Sequence, residues 1–270
     1  MTKSLFKEII DSRETISLLA FLRGKISKSG KEIKRAIDAG ACFVNNRSQK
    51  FASYRLKKGD LVLLYLDRFE KVVKQKPKLI MQDKYFSAWD KPPFFVCSEE
   101  FLLHRLDKET SGVLLNSKEK GFYDLFRNRE IEKTYLAVVE GVLKKKSGRI
   151  ENYLDVVKKF DGQKIMGEVF NKGKLAITEW KVIAEKKTYS LIECKPKTGR
   201  THQIRVHLSA LGHPIIGDHQ YGKLFSIRSN RMLLHAHKVR FKHPITKEEL
   251  EITSPVPLQI KELFGKDLCS

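Results

Sequence analysis

His104-Arg105-Leu106-Asp107-Lys108-Glu109-Thr110-Ser111-Gly112 sets one carboxylate beside a histidine and an arginine, just before a predicted turn. Thr110, Ser111 and Gly112 are turn formers, and the apolar run Val113-Leu114-Leu115 reads as a buried strand. An acid at a strand entrance is held by backbone rather than by a floppy stem, which suits a group whose placement matters to chemistry. Taken alone, the stretch is more simply an aspartate capping a turn with its own side chain. The rest of the chain changes that balance.

The 270 residues suffice for one large core and a small satellite domain. A hydrophobic content of 41% makes the chain globular rather than disordered. Lys and Arg number 53 against 32 Asp and Glu, a net charge of +21 that favours a polyanionic partner, most commonly nucleic acid. No apolar run reaches about eighteen residues and no basic amphipathic helix stands alone, so no membrane partner is expected. The N-terminal stretch Met1 to Phe6 lacks a signal-peptide core, so a cytoplasmic location is expected. Cys42, Cys97, Cys194 and Cys269 form no C-x-x-C pair and are expected to be reduced thiols. His235-Ala236-His237 offers two imidazoles on one strand face without a third clustered ligand, so no metal is assigned.

Residues Thr15 to Ile26 place Ile16, Leu19, Leu22 and Ile26 at helical spacing. After Ser27-Lys28-Ser29-Gly30, a second helix carries Ile33, Ala36 and Ile37 on one side and Lys31, Lys34 and Arg35 on the other. It stops at Ala39-Gly40. Phe43 to Asn46 reads as a strand and turn, and Leu56-Lys57-Lys58-Gly59-Asp60 as a turn before the strand Leu61 to Leu66. A charge run is by default a solvated face. This order of elements, about a quarter of the chain, nevertheless resembles the S-four-type RNA-binding domain. The resemblance implies RNA contacts at Lys28, Lys31, Lys34 and Arg35. The expected division is 1–73 for this module, 74–80 for a basic linker and 81–270 for a second domain. Lys71 to Lys78 carries the linker composition.

Beyond Leu79, short apolar runs alternate with turn signals and only modest helical stretches such as Phe122 to Arg129. This predicts an α+β domain on a mixed, mostly antiparallel sheet, preceded by the small α/β module. Gly121, Gly141 and Gly148 read as isolated turn glycines, and no glycine-rich phosphate loop appears, so no nucleotide cofactor is expected.

His-Arg-Leu-Asp-x-x-Thr-Ser-Gly is, without a substitution, the signature of the RluA-type pseudouridine synthases. Lys133 to Gly141 resembles that family's tyrosine-bearing strand, and Lys197-Thr198-Gly199-Arg200-Thr201-His202-Gln203-Ile204-Arg205-Val206-His207-Leu208 its arginine motif. Gly212 to Asp218 with Tyr221-Gly222, and Leu234-His235-Ala236 with Phe241-x-His243-Pro244, complete the series in family order. One departure lies in Asp90-Lys91-Pro92-Pro93, where Phe94 replaces a usual glycine and the segment to His104 is shortened. The shortening implies that a peripheral loop and helix are missing on this side.

The resemblance implies an isomerase of uridine in structured RNA, expected to be large-subunit ribosomal RNA or its precursor, acting as a monomer without cofactor or metal. Asp107 is then the catalytic carboxylate, attacking covalently or starting an elimination at the sugar. Arg205 is its charge partner, Tyr135 the ring under a flipped-out uracil, Ile204 part of the pocket wall, and Arg105 the group filling the vacated space. Transfer RNA is the alternative substrate. A non-catalytic RNA-binding or ribosome-assembly protein would be favoured by loss of Asp107, Tyr135 or Arg205, and all three are present. A metal-dependent nuclease or deaminase would need clustered carboxylates or a Cys/His set, which the sequence lacks.

Overall fold

Two serine caps organise the N-terminal part of the chain in a computed structural model. The helix α1 (Leu18–Lys25) starts at Ser17, whose side chain accepts from the Ala20 N–H at 3.2 Å. The helix α2 (Gly30–Asp38) starts at Ser29. Its Oγ accepts from the Glu32 N–H while Glu32 accepts from the Ser29 N–H, a reciprocal cap. Ile33, Ala36 and Ile37 of α2 are fully buried, and Lys31 and Lys34 on its other side are exposed. The strands β1 (Leu5–Ile9), β6 (Leu61–Tyr65), β3 (Cys42–Val44) and β4 (Arg47–Ser48) form an antiparallel sheet in the order β1-β6-β3-β4. A two-residue strand β2 (Ile16–Ser17) pairs with β5 (Arg55–Leu56). Ile16, read as the first residue of the helical stripe, is therefore strand, because its backbone finds Leu56 before the helix begins.

The structure describes residues 5–11, 15–45, 47–66, 75–96, 101–127, 129–160, 163–170, 172–222, 225–227, 229 and 231–265. Asn46, Cys97, Cys269, Asn128 and the expected linker up to residue 74 lie outside them. The chain divides into two compact units, Met1–Lys76 and Pro77–Ser270. Residues 78–80, expected to be linker, begin a strand.

The second unit is built on one mixed sheet. Its strands are β7 (Lys78–Gln82), β8 (Phe86–Lys91), β9 (Ser111–Ser117), β10 (Glu132–Glu140), β11 (Ser147–Phe160), β12 (Gln163–Val169), β13 (Lys174–Glu185), β14 (Tyr189–Pro196), β15 (Leu234–Lys242) and β16 (Glu249–Thr253). The order is β12-β11-β13-β14-β10-β15-β9-β8-β7, with β16 on β15. Among the described residues only β15 and β9 run parallel, so the expected mixed, mostly antiparallel α+β architecture is what forms. Among the described residues three helices flank it, α3 (Lys120–Phe126), α4 (Gln203–Ala210) and α5 (Leu258–Phe264). None of the described helices is long and apolar enough to cross a membrane.

The central strand β10 explains its own sequence. Tyr135, Ala137 and Val139 pack with Ile204 and Leu208 of α4, while Leu136 and Val138 pack with Ile216 and Ile260 on the opposite face. A strand covered on both sides is apolar without interruption, as this one is. Gly148 is not a turn residue but sits in β11, where a Cβ would come within 2.9 Å of the Trp180 ring. Gly121 is helical, in α3, and only Gly141, at φ 80°, keeps a left-handed backbone.

Gly112 belongs to β9 rather than to the turn before it. Its φ is 114°, and a Cβ would lie 2.1 Å from the Ala236 carbonyl oxygen. The parallel pairing of β9 with β15, at Ser111 with His235 and Gly112 with Ala236, thus depends on a residue without a side chain. A buried polar chain reinforces the join. Arg231 Nη2 donates to Ser111 Oγ at 2.9 Å, and that hydroxyl lies 2.9 Å from His235 Nδ1.

Three buried histidines fold as neutral rings. His207 bridges Thr178 and Asn152 at 2.9 Å each, His235 lies between Ser111 and Ser254, and His104 accepts from the Leu115 N–H at 3.3 Å. Burial pushes all three down, to about 4 for His207 and about 3 for the others, helped by the charge of Lys133 at His104 and of Arg231 at His235. The unfolded chain takes up protons near the ordinary value of about 6.5, which the folded protein refuses. Stability is therefore full above about pH 6.5 and is lost as pH falls toward the folded values, up to about 2 kcal/mol per ring at about pH 5. Urea denaturation should show a clearly lower midpoint at about pH 5 than at about pH 7, and His207→Gln should flatten part of that slope. A midpoint independent of pH over this range would contradict neutral burial.

Candidate active site

Asp107 occupies a turn tied down from two directions. The Thr110 N–H donates to the Asp107 carbonyl at 3.1 Å, and the Phe94 N–H donates to the Lys108 carbonyl at 2.8 Å. Lys91, almost fully buried at the end of β8, places its Nζ 3.1 Å from each of three carbonyls, those of Pro92, Phe95 and Lys108. An ammonium shared by both segments fixes the turn from below. Phe94 adopts φ 62°, the left-handed region that favours glycine. Its burial and its bond to Lys108 hold a phenylalanine in a backbone shape suited to the family's usual glycine.

The Asp107 side chain remains 27% exposed, so a reactant can reach it. Its Oδ2 lies 3.5 Å from Arg205 Nη1, and its Oδ1 lies 4.0 Å from His202 Nε2. Arg205, on α4, has a stronger partner than the sequence suggested. Nε donates to Asp218 Oδ2 at 2.7 Å and Nη2 to Asp218 Oδ1 at 2.9 Å, a bidentate pair with a fully buried carboxylate. Nη2 also donates to Gln220 Oε1 at 3.1 Å, and the guanidinium lies 5.0 Å from the centre of the Tyr221 ring. Burial works against the charge of Arg205, but the hydrogen bonds and charge of Asp218, then Asp107, outweigh it and keep the guanidinium protonated.

Arg105, Asp107, Tyr135, Ile204 and Arg205 all line one cavity. Tyr135 enters from β10 at a register shift between Thr134 and Tyr135, and its hydroxyl is held protonated by burial first and by the Asp107 charge second. Ile204 precedes Arg205 on α4, and Arg105 is exposed at the rim. Lys28, Lys31, Lys34 and Arg35 belong to the first unit. Lys28, Lys31 and Lys34 are exposed, whereas Arg35 is half-buried and donates to the Gln75 carbonyl at 2.5 Å.

Four residues escaped the sequence reading as site residues. Asp218 follows Gly217, whose φ of 81° and close approach to the Arg231 carbonyl leave no room for a Cβ. His202 and Tyr221 meet at 2.8 Å beside Asp107. Lys133 lines the same cavity, its ammonium made less favourable by burial. A buried arginine needs a buried carboxylate, so the expected role of Arg205 was the signal that could have pointed to Asp218. Among the described residues no cluster of three or more His, Cys, Asp or Glu could hold a metal ion.

The family model for RNA pseudouridylate synthases matches residues 82–210, which hold Asp107, Tyr135 and Arg205. Ribosomal large subunit pseudouridine synthase C of Haemophilus ducreyi is 37% identical over 175 residues, 61% of this chain and 54% of the relative, so the chain spans about half that relative's length. The tRNA pseudouridine synthase C of Vibrio parahaemolyticus is 32% identical over 236 residues, 70% of this chain and 94% of that protein. Among solved structures, human RNA pseudouridylate synthase domain containing 1 superposes with a TM-score of 0.58 at 28% identity, covering 67% of this chain and 83% of that one. The signature around Asp107, the sheet that presents it and these matches agree, and the chain belongs to the RluA-type RNA pseudouridine synthases.

Proposed function

We propose that this protein isomerises uridine to pseudouridine in structured RNA, with Asp107 as the reacting carboxylate. The observation that carries the reading is the half-open Asp107 carboxylate 3.5 Å from a guanidinium already fixed by Asp218, in a cavity walled by Tyr135 and Ile204. Pseudouridine formation breaks the bond from uracil N1 to the ribose C1′ and makes one from C5 to C1′. The C5 proton leaves and N1 gains one, so no electrons are exchanged with any partner. Asp107 attacks the sugar or removes a proton from it, and both roles need a carboxylate held in place, which the Arg205 Nη1 group 3.5 Å from Oδ2 serves. The detached base must be kept in place while it turns. Stacking on Tyr135 serves that purpose and is worth about 1–3 kcal/mol. Flipping the nucleotide out costs a few kcal/mol, which these interactions offset.

For the substrate we favour large-subunit ribosomal RNA, which the name of the Haemophilus ducreyi relative supports, and for the site of action the cytoplasm. The first unit serves as an S-four-type RNA anchor in this reading, supported by the exposed Lys28, Lys31 and Lys34 around α2. Transfer RNA is the second reading, favoured by the Vibrio parahaemolyticus relative, along nearly all of which this chain aligns. Mapping pseudouridines in both RNA pools, with and without the gene, separates the two.

Asp107→Asn is nearly isosteric and removes only the charge. It should cut tritium release from labelled uridine at least about a thousandfold, a loss of about 4 kcal/mol in barrier reduction, with melting temperature and RNA affinity little changed. Appreciable release by the pure variant would refute the role.

Charge reversal of Lys31 and Lys34 together should weaken RNA binding and reduce the slope of log affinity against log salt by about 0.7–0.9 for each phosphate no longer neutralised. The rate at saturating RNA should stay the same, because such groups position the substrate rather than react with it. An unchanged salt slope would make the first unit a protein-docking or folding element.

A further inference from the structure

We propose that His202 is a positioning residue for Asp107, held by Tyr221 in the tautomer that presents its Nε2–H to the carboxylate. The proposal rests on Asp107 being the reacting group and adds a residue to which no role has yet been given.

The tautomer follows from a count of donors. The Met166 backbone N–H donates to the Tyr221 hydroxyl oxygen at 3.0 Å. Burial, the leading cause, pushes the phenol up to about 12, so it keeps its own proton near neutrality. That proton needs an acceptor, and His202 Nδ1 lies 2.8 Å from the hydroxyl oxygen. With Nδ1 accepting, a neutral ring carries its hydrogen on Nε2. The ring is kept neutral by burial first and by the charge of Arg205 second, against the opposing pull of Asp107 and Asp218.

Geometry gives that hydrogen its target. His202 Nε2 faces Asp107 Oδ1 at 4.0 Å while Arg205 Nη1 faces the other oxygen, Oδ2, at 3.5 Å. The two oxygens therefore face separate nitrogens, Arg205 already donating to Oδ2, and a small carboxylate shift on substrate entry would bring Oδ1 within reach of His202. The backbone supports this placement. His202 is the N-cap of α4 with φ 55°, and its carbonyl accepts from the Val206 N–H at 2.9 Å. Tyr221 is fixed in turn, its N–H donating to Asp218 Oδ1 at 3.3 Å and its carbonyl accepting from Ser209 Oγ at 2.8 Å. Asp218 thus anchors both donors, Arg205 directly and His202 through Tyr221. A neutral donor orients the carboxylate without adding a second cation that would quench its negative charge.

Long-range proton–nitrogen correlation on protein labelled with 15N-histidine reads the tautomer directly, with the His202 signals assigned by their loss in His202→Gln. Near neutral pH they should show protonated Nε2 and bare Nδ1, and Tyr221→Phe should mix the two tautomers. An Nδ1–H form or an imidazolium in the unsubstituted protein overturns the proposal, whatever the activity. Kinetics supply the second arm. His202→Gln keeps an N–H at the ε position and should hold kcat within about tenfold, whereas His202→Asn, which reaches only the δ position opposite Tyr221, should lose about a hundredfold in kcat at unchanged KM. Asn suits the left-handed backbone better than Gln, so a ranking of Asn above Gln, or a loss confined to KM, would assign His202 a merely structural role. Tyr221→Phe leaves the backbone at His202 untouched and should lower kcat about tenfold at unchanged KM. Full kcat in that variant sinks the positioning role. If Asp107→Asn stays active, the functional reading fails, while the tautomer measurement stands or falls on its own.

Discussion

The bidentate pairing of Arg205 with Asp218 is the interaction on which the site depends. Both groups are taken almost wholly out of water, which costs several kcal/mol per ion unless geometry and extra hydrogen bonds repay it. Here they do. Asp218 accepts from Nε and Nη2 of Arg205 and from the backbone N–H groups of Gln220 and Tyr221. With two nitrogens of the fork fixed on Asp218, the Nη1 edge faces Asp107. Removing either member would leave an unpaired buried charge, typically a loss of about 3–5 kcal/mol, so the pair is structural and functional at once.

The groups that meet in the cavity come from distant parts of the chain, and the sheet brings them together. Tyr135 stands on β10, Asp107 just before β9, and β15 lies between those two strands. The join of β15 to β9 is parallel and only two residue pairs long, with Gly112 against the Ala236 carbonyl at its centre. A side chain there would push β9, and the Asp107 turn with it, away from β15. The Thr-Ser-Gly that reads as turn punctuation is therefore a packing requirement at the strand entrance. Lys91 performs a matching task on the far side, with one ammonium spanning the loop after β8 and the Lys108 carbonyl.

What was legible in the sequence was local. The split of α2 into Ile33 and Ile37 against Lys31 and Lys34 follows from spacing alone, and the strand of β10 was read by motif. Asp107, Tyr135, Ile204 and Arg205 were placed by motif, and all four line one cavity. The misreadings share a cause. Ile16 is strand because of Leu56, forty residues away, and Gly148 is a strand residue because of the Trp180 ring across the sheet. Lys78 was read as linker from its charge, yet its backbone pairs with Asp90. Asp218 stood in a quoted motif, but only the fold shows that it faces Arg205. In each case the deciding partner lies outside the local window that periodicity and turn chemistry read, across a strand pair or across the buried site.

The charge excess of +21 takes on a sharper meaning once the cavity is known. A field of that size would draw in any polyanion and cannot by itself choose a nucleotide. Selection must come from groups held at fixed positions, and the cavity walls supply both kinds. Arg105 is exposed at the rim, whereas Arg205 is locked by Asp218 and cannot follow a mobile phosphate. Lys133 stands between these extremes. It lines the cavity from β10, two residues before Tyr135, with burial making its charge less favourable. An ammonium in that setting gains more from an anionic neighbour than one in water does, because the surrounding dielectric is low. In the proposed reaction the base leaves its sugar with the bonding electrons, so negative charge develops inside the cavity as the N1–C1′ bond breaks. Within that reaction, charge at the rim would bear on binding and charge inside the cavity, where Lys133 stands, on the breaking of that bond.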